Sequence, residues 1–251
     1  MSRSFAGPHE LGQNFLVDPR VVRNLVDLVP RGAGRVVELG AGAGALTAAL
    51  VDAGHRVVAV ELDPRRAATL QRRFGDRVEV VRGDLLRFRE PEPHHVVSNV
   101  PFGITTPLLR HLLGQRAWGT AVLLVQWEVA RKRAAAGATT MLTATWWPWY
   151  TFTLAGRVPA RAFRPVPSVD GGVLVLQRRG TPLVEYAERA AYQALVRRVF
   201  TGRGAGVGAI LRGMAPGRVV TRWLDAHGVL PTTLPGRLTA QEWAALYRTL
   251  S

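Results

Sequence analysis

Two groups of residues in this 251-residue chain have types and spacings suited to group transfer. The first is Ser98-Asn99-Val100-Pro101-Phe102, which follows the apolar pair Val96-Val97 and so falls where a short strand ends. The Asn99 side-chain oxygen and the Val100 carbonyl are two hydrogen-bond acceptors on neighbouring residues. Such a pair suits an exocyclic aromatic amine, like that of adenine, whose lone pair is delocalised into the ring. Accepting both of its N–H groups favours a pyramidal nitrogen and stabilises the positive charge that develops during attack. Pro101 stiffens the turn. Phe102 offers a ring face that can stack on a base and tolerates growing positive charge. The alkylated amine is acidic enough to lose its proton to water, so no strong general base is required.

The second group is Val36-Val37-Glu38-Leu39-Gly40-Ala41-Gly42-Ala43-Gly44, a strand-like run that breaks into a glycine turn. Glycines there let a ligand approach the backbone closely. Gly40-x-Gly42-x-x-Ala45 also fits a loose dinucleotide fingerprint, but two features favour S-adenosylmethionine. Glu38 stands two residues before the first glycine, where a carboxylate suits an ammonium-bearing ligand and opposes a pyrophosphate. Gly83-Asp84 follows a third strand, where a carboxylate can accept from an adenine amino group. Glu61, at the end of a second strand, can hold both ribose hydroxyls in either reading.

The elements that must position these groups are legible in the periodicity. Asp18-Pro19 and Asp63-Pro64 each read as an N-cap with Pro at the first helical position. Strands are predicted at 35–39, 55–62, 78–82, 96–99 and 120–126, with helices at 19–29, 45–53, from 63, 106–113 and 129–136 between and after them. This alternation predicts a doubly wound, mostly parallel sheet of the α/β class. Two more strands are expected at 143–154 and 172–177, completing seven. After Pro182 the pattern is helical throughout, at 184–200, 207–213, 218–227 and 239–250. The expected domains are therefore a catalytic one over 1–180 and a small helical one over 181–251.

Composition removes other classes. There is no cysteine, so disulfide scaffolds, thiolate metal sites and thiol nucleophiles are excluded. The six histidines lack the HxxxH spacing of a helical zinc site, and no metal is expected. Neither GxSxG nor GxxxxGK[ST] occurs. No apolar run approaches a membrane span and the start does not read as a signal peptide, so a cytoplasmic protein is expected. Lys plus Arg is 33 against 18 Asp plus Glu, a formal net charge of +15. Lys132 is the sole lysine. A surface this basic attracts polyanions, nucleic acid first. Among its basic clusters, Arg131-Lys132-Arg133 follows the fifth strand, near the catalytic edge, and is the best candidate for phosphate contact.

Taken together, Gly12-Gln13-Asn14-Phe15-Leu16, Glu38 to Thr47, Gly83-Asp84, Asn99 to Thr106 and the segment Arg161-Ala162-Phe163-Arg164-Pro165-Val166-Pro167-Ser168-Val169-Asp170 resemble the Erm and KsgA group. These are S-adenosylmethionine-dependent RNA adenine-N6 methyltransferases with a class I, Rossmann-like fold. The likeness implies roles. Gln13, Asn14 and Leu16 cover the methionine part of the cofactor, with Glu38, Gly40, Ala41 and Gly42 lining it. Glu61 and Leu62 flank the ribose, Gly83, Asp84 and Leu85 the adenine, and Asn99 borders both cofactor and target. Asn99, Val100, Pro101 and Phe102 receive the base, which Phe163 helps to enclose.

The stretch Trp146 to Phe152 is most similar to the actinobacterial Erm branch. That branch implies methylation of an adenine in the peptidyl transferase loop of 23S rRNA by a monomer, before ribosome assembly, with resistance to macrolides, lincosamides and streptogramin B. The KsgA branch would instead modify small-subunit rRNA. The Asn-x-Pro-Phe chemistry alone does not separate RNA from DNA, and a non-catalytic nucleic-acid-binding protein can share the fold. Phe102 stands where many relatives carry Tyr, which keeps the stacking face and drops a hydroxyl.

Overall fold

A computed structural model describes residues 14–32 and 34–251. The chain runs β1 (Phe15–Leu16), α1 (Pro19–Asp27), β2 (Arg35–Leu39), α2 (Ala45–Asp52), β3 (Arg56–Glu61), α3 (Pro64–Phe74), β4 (Val78–Arg82), β5 (His94–Asn99), α4 (Thr105–Leu113), β6 (Trp118–Gln126) and α5 (Trp127–Arg133). It continues as α6 (Met141–Trp146), β7 (Tyr150–Val158), β8 (Phe163–Arg164), β9 (Gly171–Arg178), α7 (Arg189–Thr201), α8 (Val207–Arg212), α9 (Gly217–His227) and α10 (Ala240–Leu250).

Seven strands form one sheet in the order β4-β3-β2-β5-β6-β9-β7. Strands β4 to β6 pair in parallel, and β9 runs antiparallel to β6. Helices cover both faces, so the interior strands read as nearly unbroken valine and leucine runs and bury almost completely. The strand order reverses between β2 and β5. The carboxyl ends of those two strands therefore bound the crevice where such sheets take ligands.

The helices that flank the crevice are fixed at their first turns. The Asp18 carboxylate accepts from the Arg20 N–H at 2.8 Å, and Asp63 accepts from the Arg65 and Arg66 N–H groups at 2.8 and 3.0 Å. Each cap satisfies backbone donors that the helix itself leaves unpaired. Val22, Leu25 and Val26 of α1 and Ala67, Leu70 and Phe74 of α3 then face the core.

By its contacts the chain divides into two compact units. One holds the described residues up to Ala130 together with Thr153–Gln177; the other holds Arg131–Phe152 and Arg178–Ser251. The expected division at 180/181 follows chain order, whereas these units interleave. Within the second unit, the Tyr192 hydroxyl donates to the Ala144 carbonyl at 2.9 Å, and Trp149 meets Tyr186 and Tyr192 edge to face. The Thr139 N–H reaches the Gly236 carbonyl at 2.7 Å. These contacts group 131–152 with the C-terminal helices.

The strand predicted at 143–154 is corrected: Met141–Trp146 is a helix and the strand starts at Tyr150. Threonines and tryptophans favour strands on average. Here the Thr140 side chain accepts from the Thr143 N–H as an N-cap, and burial of Thr143 and Ala144 holds the helical turn.

Candidate active site

A cleft opens on the carboxyl edge of the sheet. Its walls come from the first described residues, the β2–α2 turn, the ends of β3 and β4, and the turn after β5. Asn14, Leu16, Glu38, Gly40, Ala41, Gly42, Glu61, Leu62, Gly83, Asp84, Leu85, Asn99, Val100, Pro101 and Phe102 all line it. Residues from five separate places in the sequence thus meet in one cavity. Gln13 lies outside the described residues.

The glycine turn is built for close approach. Gly40 and Gly42 have φ of +78° and +57°, a region that side chains disfavour. A Cβ on Gly40 would meet Leu85 Cδ2 at 3.3 Å, and one on Gly42 would meet Phe15 Cε1 at 3.4 Å. The bare backbone is what leaves room for a ligand between these walls.

Glu61 is only 4% exposed and holds this turn in place. Its Oε2 accepts from the Gly42 N–H at 2.7 Å and its Oε1 from the Asp63 N–H at 2.9 Å. Each oxygen keeps acceptor capacity for a diol. Glu38 is deeper, buried at the end of β2, and accepts from the Thr47 hydroxyl at 2.5 Å. Burial pushes its carboxyl up to about 8, against the opposing hydrogen bond from Thr47, and the neighbouring Glu61 carboxylate adds to the rise. A cationic ligand is what would bring Glu38 to its charged form near neutral pH. Asp84 is tied through Oδ1 to the Leu86 N–H at 2.9 Å, which leaves Oδ2 for a ligand apart from a distant Arg87.

At the chemical end, the Asn99 amide nitrogen donates to the Asn14 carbonyl at 2.8 Å. A carbonyl can only accept, so this contact fixes which way the amide is turned. It leaves Asn99 Oδ1 as an acceptor in the cleft wall. The Val100 N–H is held by the Leu124 carbonyl of β6 at 2.9 Å, which fixes the plane of the Asn99–Val100 peptide. Phe102 is half-buried beside them.

Two expectations are corrected here. Phe163, expected at the base pocket, is fully buried and is not among the residues lining the cleft. Its strand β8 pairs with β1, Leu16 opposite Phe163, which draws the ring into the core. It meets Phe102 edge to face at 6.3 Å and acts as a backing for that ring. The basic triplet is also divided. Lys132 is exposed and Arg131 half-buried, but Arg133 turns inward. Its guanidinium donates to the Thr140 hydroxyl at 2.7 Å and its carbonyl accepts from Thr143, so it anchors α6 rather than facing a phosphate.

Arg66, which reads in sequence only as part of the basic cluster Arg65-Arg66, is a lining residue of the cleft. Its guanidinium lies over the Phe15 ring, 4.8 Å from the centroid. Its place one turn into the helix that follows Glu61 is the signal that points there.

A doubly wound sheet whose crevice pairs an acid-lined glycine turn with an Asn-x-Pro-Phe corner defines a Rossmann-like methyltransferase acting on an amine. The chain belongs to the ribosomal RNA adenine dimethylase family, whose model matches residues 5–251. It is 60% identical over 244 residues to the mycinamicin-resistance protein MyrB of Micromonospora griseorubida, covering 96% of this chain and 78% of that one. It is 50% identical over 214 residues to an rRNA adenine N-6-methyltransferase of Corynebacterium diphtheriae, covering 84% and 85%. The crystal structure of the 23S rRNA methyltransferase ErmE superposes with a TM-score of 0.88 at 33% identity, over 94% of this chain and 99% of that one. The family uses S-adenosylmethionine, and the donor set of the cleft suits that cofactor.

Proposed function

We propose that this protein transfers methyl groups from S-adenosylmethionine to the N6 amine of an adenine in the peptidyl transferase loop of 23S rRNA. The outcome is resistance to macrolides, lincosamides and streptogramin B. The observation that carries the chemistry is Asn99: its nitrogen is committed to Asn14, so its oxygen is presented as an acceptor at the cleft wall. The likeness to MyrB and ErmE supports the choice of 23S rRNA.

When bound, S-adenosylmethionine supplies an electrophilic methyl on a sulfonium sulfur. Glu38 would face its cationic end, Glu61 would accept from the ribose hydroxyls, and Asp84 with Leu85 would hold the adenine. Asn99 Oδ1 and the Val100 carbonyl accept the two hydrogens of the target amine and stabilise its developing charge. Phe102, backed by Phe163, stacks on the flipped base. Pro101 and the hydrogen bond from Ile104 N–H to the Pro101 carbonyl at 3.0 Å keep this corner rigid. Lys132 and Arg131 contribute to holding the RNA backbone. The protein acts as a cytoplasmic monomer on 23S rRNA not yet assembled into ribosomes, with no metal in the reaction. Among the described residues no helix is long and apolar enough to cross a membrane.

The test is incubation with tritiated S-adenosylmethionine and separated, protein-free 23S and 16S rRNA, followed by primer extension. Label at one adenine of the 23S peptidyl transferase loop is the expected result. Label in 16S rRNA moves the protein to the small-subunit branch, and label in neither overturns the proposal.

A further inference from the structure

A second pocket lies on the same sheet edge as Asn99 and has no part in the chemistry described above. Trp127, Arg157 and Asp170 line it, together with Gln126, Glu128 and Ser168. Its construction is specific. The Arg157 guanidinium lies over the Trp127 indole, 5.1 Å from the ring centroid, and donates through Nε to Asp170 Oδ2 at 2.7 Å. Asp170 is held in turn by the Ala160 N–H at 2.8 Å, and its carbonyl accepts from the Trp127 N–H at 2.9 Å. Gly172 makes room beneath: a Cβ there would come within 3.1 Å of Trp127 Cε3. The indole packs against the Gly172 backbone, and Arg157 is held over it by Asp170 while its side chain stays 60% exposed.

The location follows from strand register. Asn99 of β5 is opposite Leu124 of β6, and Gln126 and Trp127 come two and three residues later. At ordinary strand rise and spacing this sets the Trp127 backbone roughly 11 Å from that of Asn99 along the sheet edge. That is within reach of a nucleotide flanking a base seated at Asn99.

We infer that the Trp127–Arg157 pair is a stacking platform for the base of a nucleotide flanking the target adenosine. The inference rests on the RNA methyltransferase reading above. A guanidinium plane layered on an aromatic ring is a surface on which unstacked RNA bases settle. The charge pattern selects base over phosphate: Asp170 already compensates Arg157, and the Glu128 carboxylate in the lining opposes a second anion. The Gln126 amide and Ser168 hydroxyl are hydrogen-bonding groups suited to the edge of a base. The platform also gives a use to Asp170, the last residue of the Arg161–Asp170 segment, which the methyl-transfer chemistry leaves unassigned.

The experiment uses the full-length protein and an RNA fragment carrying the 23S loop, intact or with one flanking nucleotide at a time made abasic. The parent enzyme methylating the intact fragment establishes the functional reading independently. Trp127→Leu and Arg157→Met are then compared with it, with S-adenosylmethionine binding as the check on folding. Each variant is expected to raise KM for RNA about tenfold, with kcat at saturating RNA and cofactor affinity little changed. Trp127→Phe, which keeps a ring, is expected to recover most of the loss. At one flanking position an abasic nucleotide should raise KM of the parent by a similar factor and leave the two variants insensitive. A purely structural role would not produce that coupling. Unchanged KM in both variants, or an abasic penalty equal in parent and variants at every flanking position, would overturn the inference.

Discussion

At Asn99 one hydrogen bond decides the chemistry, because an amide has a donor end and an acceptor end and only one can face the target amine. Replacing Asn99 by Ala removes the acceptor and is expected to lower kcat by about 10²–10³, the usual cost of losing one transition-state hydrogen bond. A single-turnover assay with cofactor binding measured in parallel checks this; a loss of affinity as large as the loss of rate would mean that Asn99 serves the cofactor instead. Glu38 gives a pH prediction. With its carboxyl pushed up to about 8, the empty cleft holds it mostly protonated at neutral pH, and a cationic ligand draws the proton off. Cofactor binding should therefore release a proton near pH 7 and tighten as the pH rises toward 8. Calorimetry in buffers of different ionisation enthalpy reads that proton, and Glu38→Gln should abolish it. Without ligand, the same raised group makes folding stability fall as the pH rises from the ordinary carboxylate range through about 8, since the unfolded chain gives up this proton first. Glu38, Glu61, Asp84 and Asn99 were legible in the sequence as polar residues at or near strand ends, and all four line the cleft. Phe163 and Arg133 were not. An aromatic in a Pro-rich loop and an arginine in a basic run do not reveal from their identity which way the side chain turns, and tertiary contacts turned both inward.

The elements show where local pattern suffices and where it fails. Val-rich runs between helices specified β2 to β6 to within two residues at each end, the interior strands among them being apolar on both faces. The stretch from Met141 to Leu154 carries residues that suit either a helix or a strand, and the decision is made by Thr140. That hydroxyl accepts from Arg133 and from the Thr143 N–H, coupling the end of α5 to the start of α6. Thr140→Ala is expected to cost about 1–2 kcal/mol and to lower Tm by a few degrees. Thermal melts followed by circular dichroism test it, and Thr140→Ser should restore most of the stability. A melt of Thr140→Ala identical to that of the parent would show that the side-chain cap is dispensable.

For the whole molecule the dominant property is its charge of +15, which makes association with RNA a matter of counterion release. KM for the RNA fragment should climb steeply between about 50 and 200 mM salt, with each phosphate contact adding about 0.7–0.9 to the slope of log KM against log salt. The dissociation constant for S-adenosylmethionine should hardly move over that range. A salt-independent KM would place recognition in base contacts alone. The same charge is carried almost entirely by guanidinium groups, and the one lysine, Lys132, stands exposed on α5. Amine-directed reagents therefore meet a single internal target in a chain that also lacks cysteine. A fluorophore or photocrosslinker coupled there would report from one known point on the chain, without any change to the sequence.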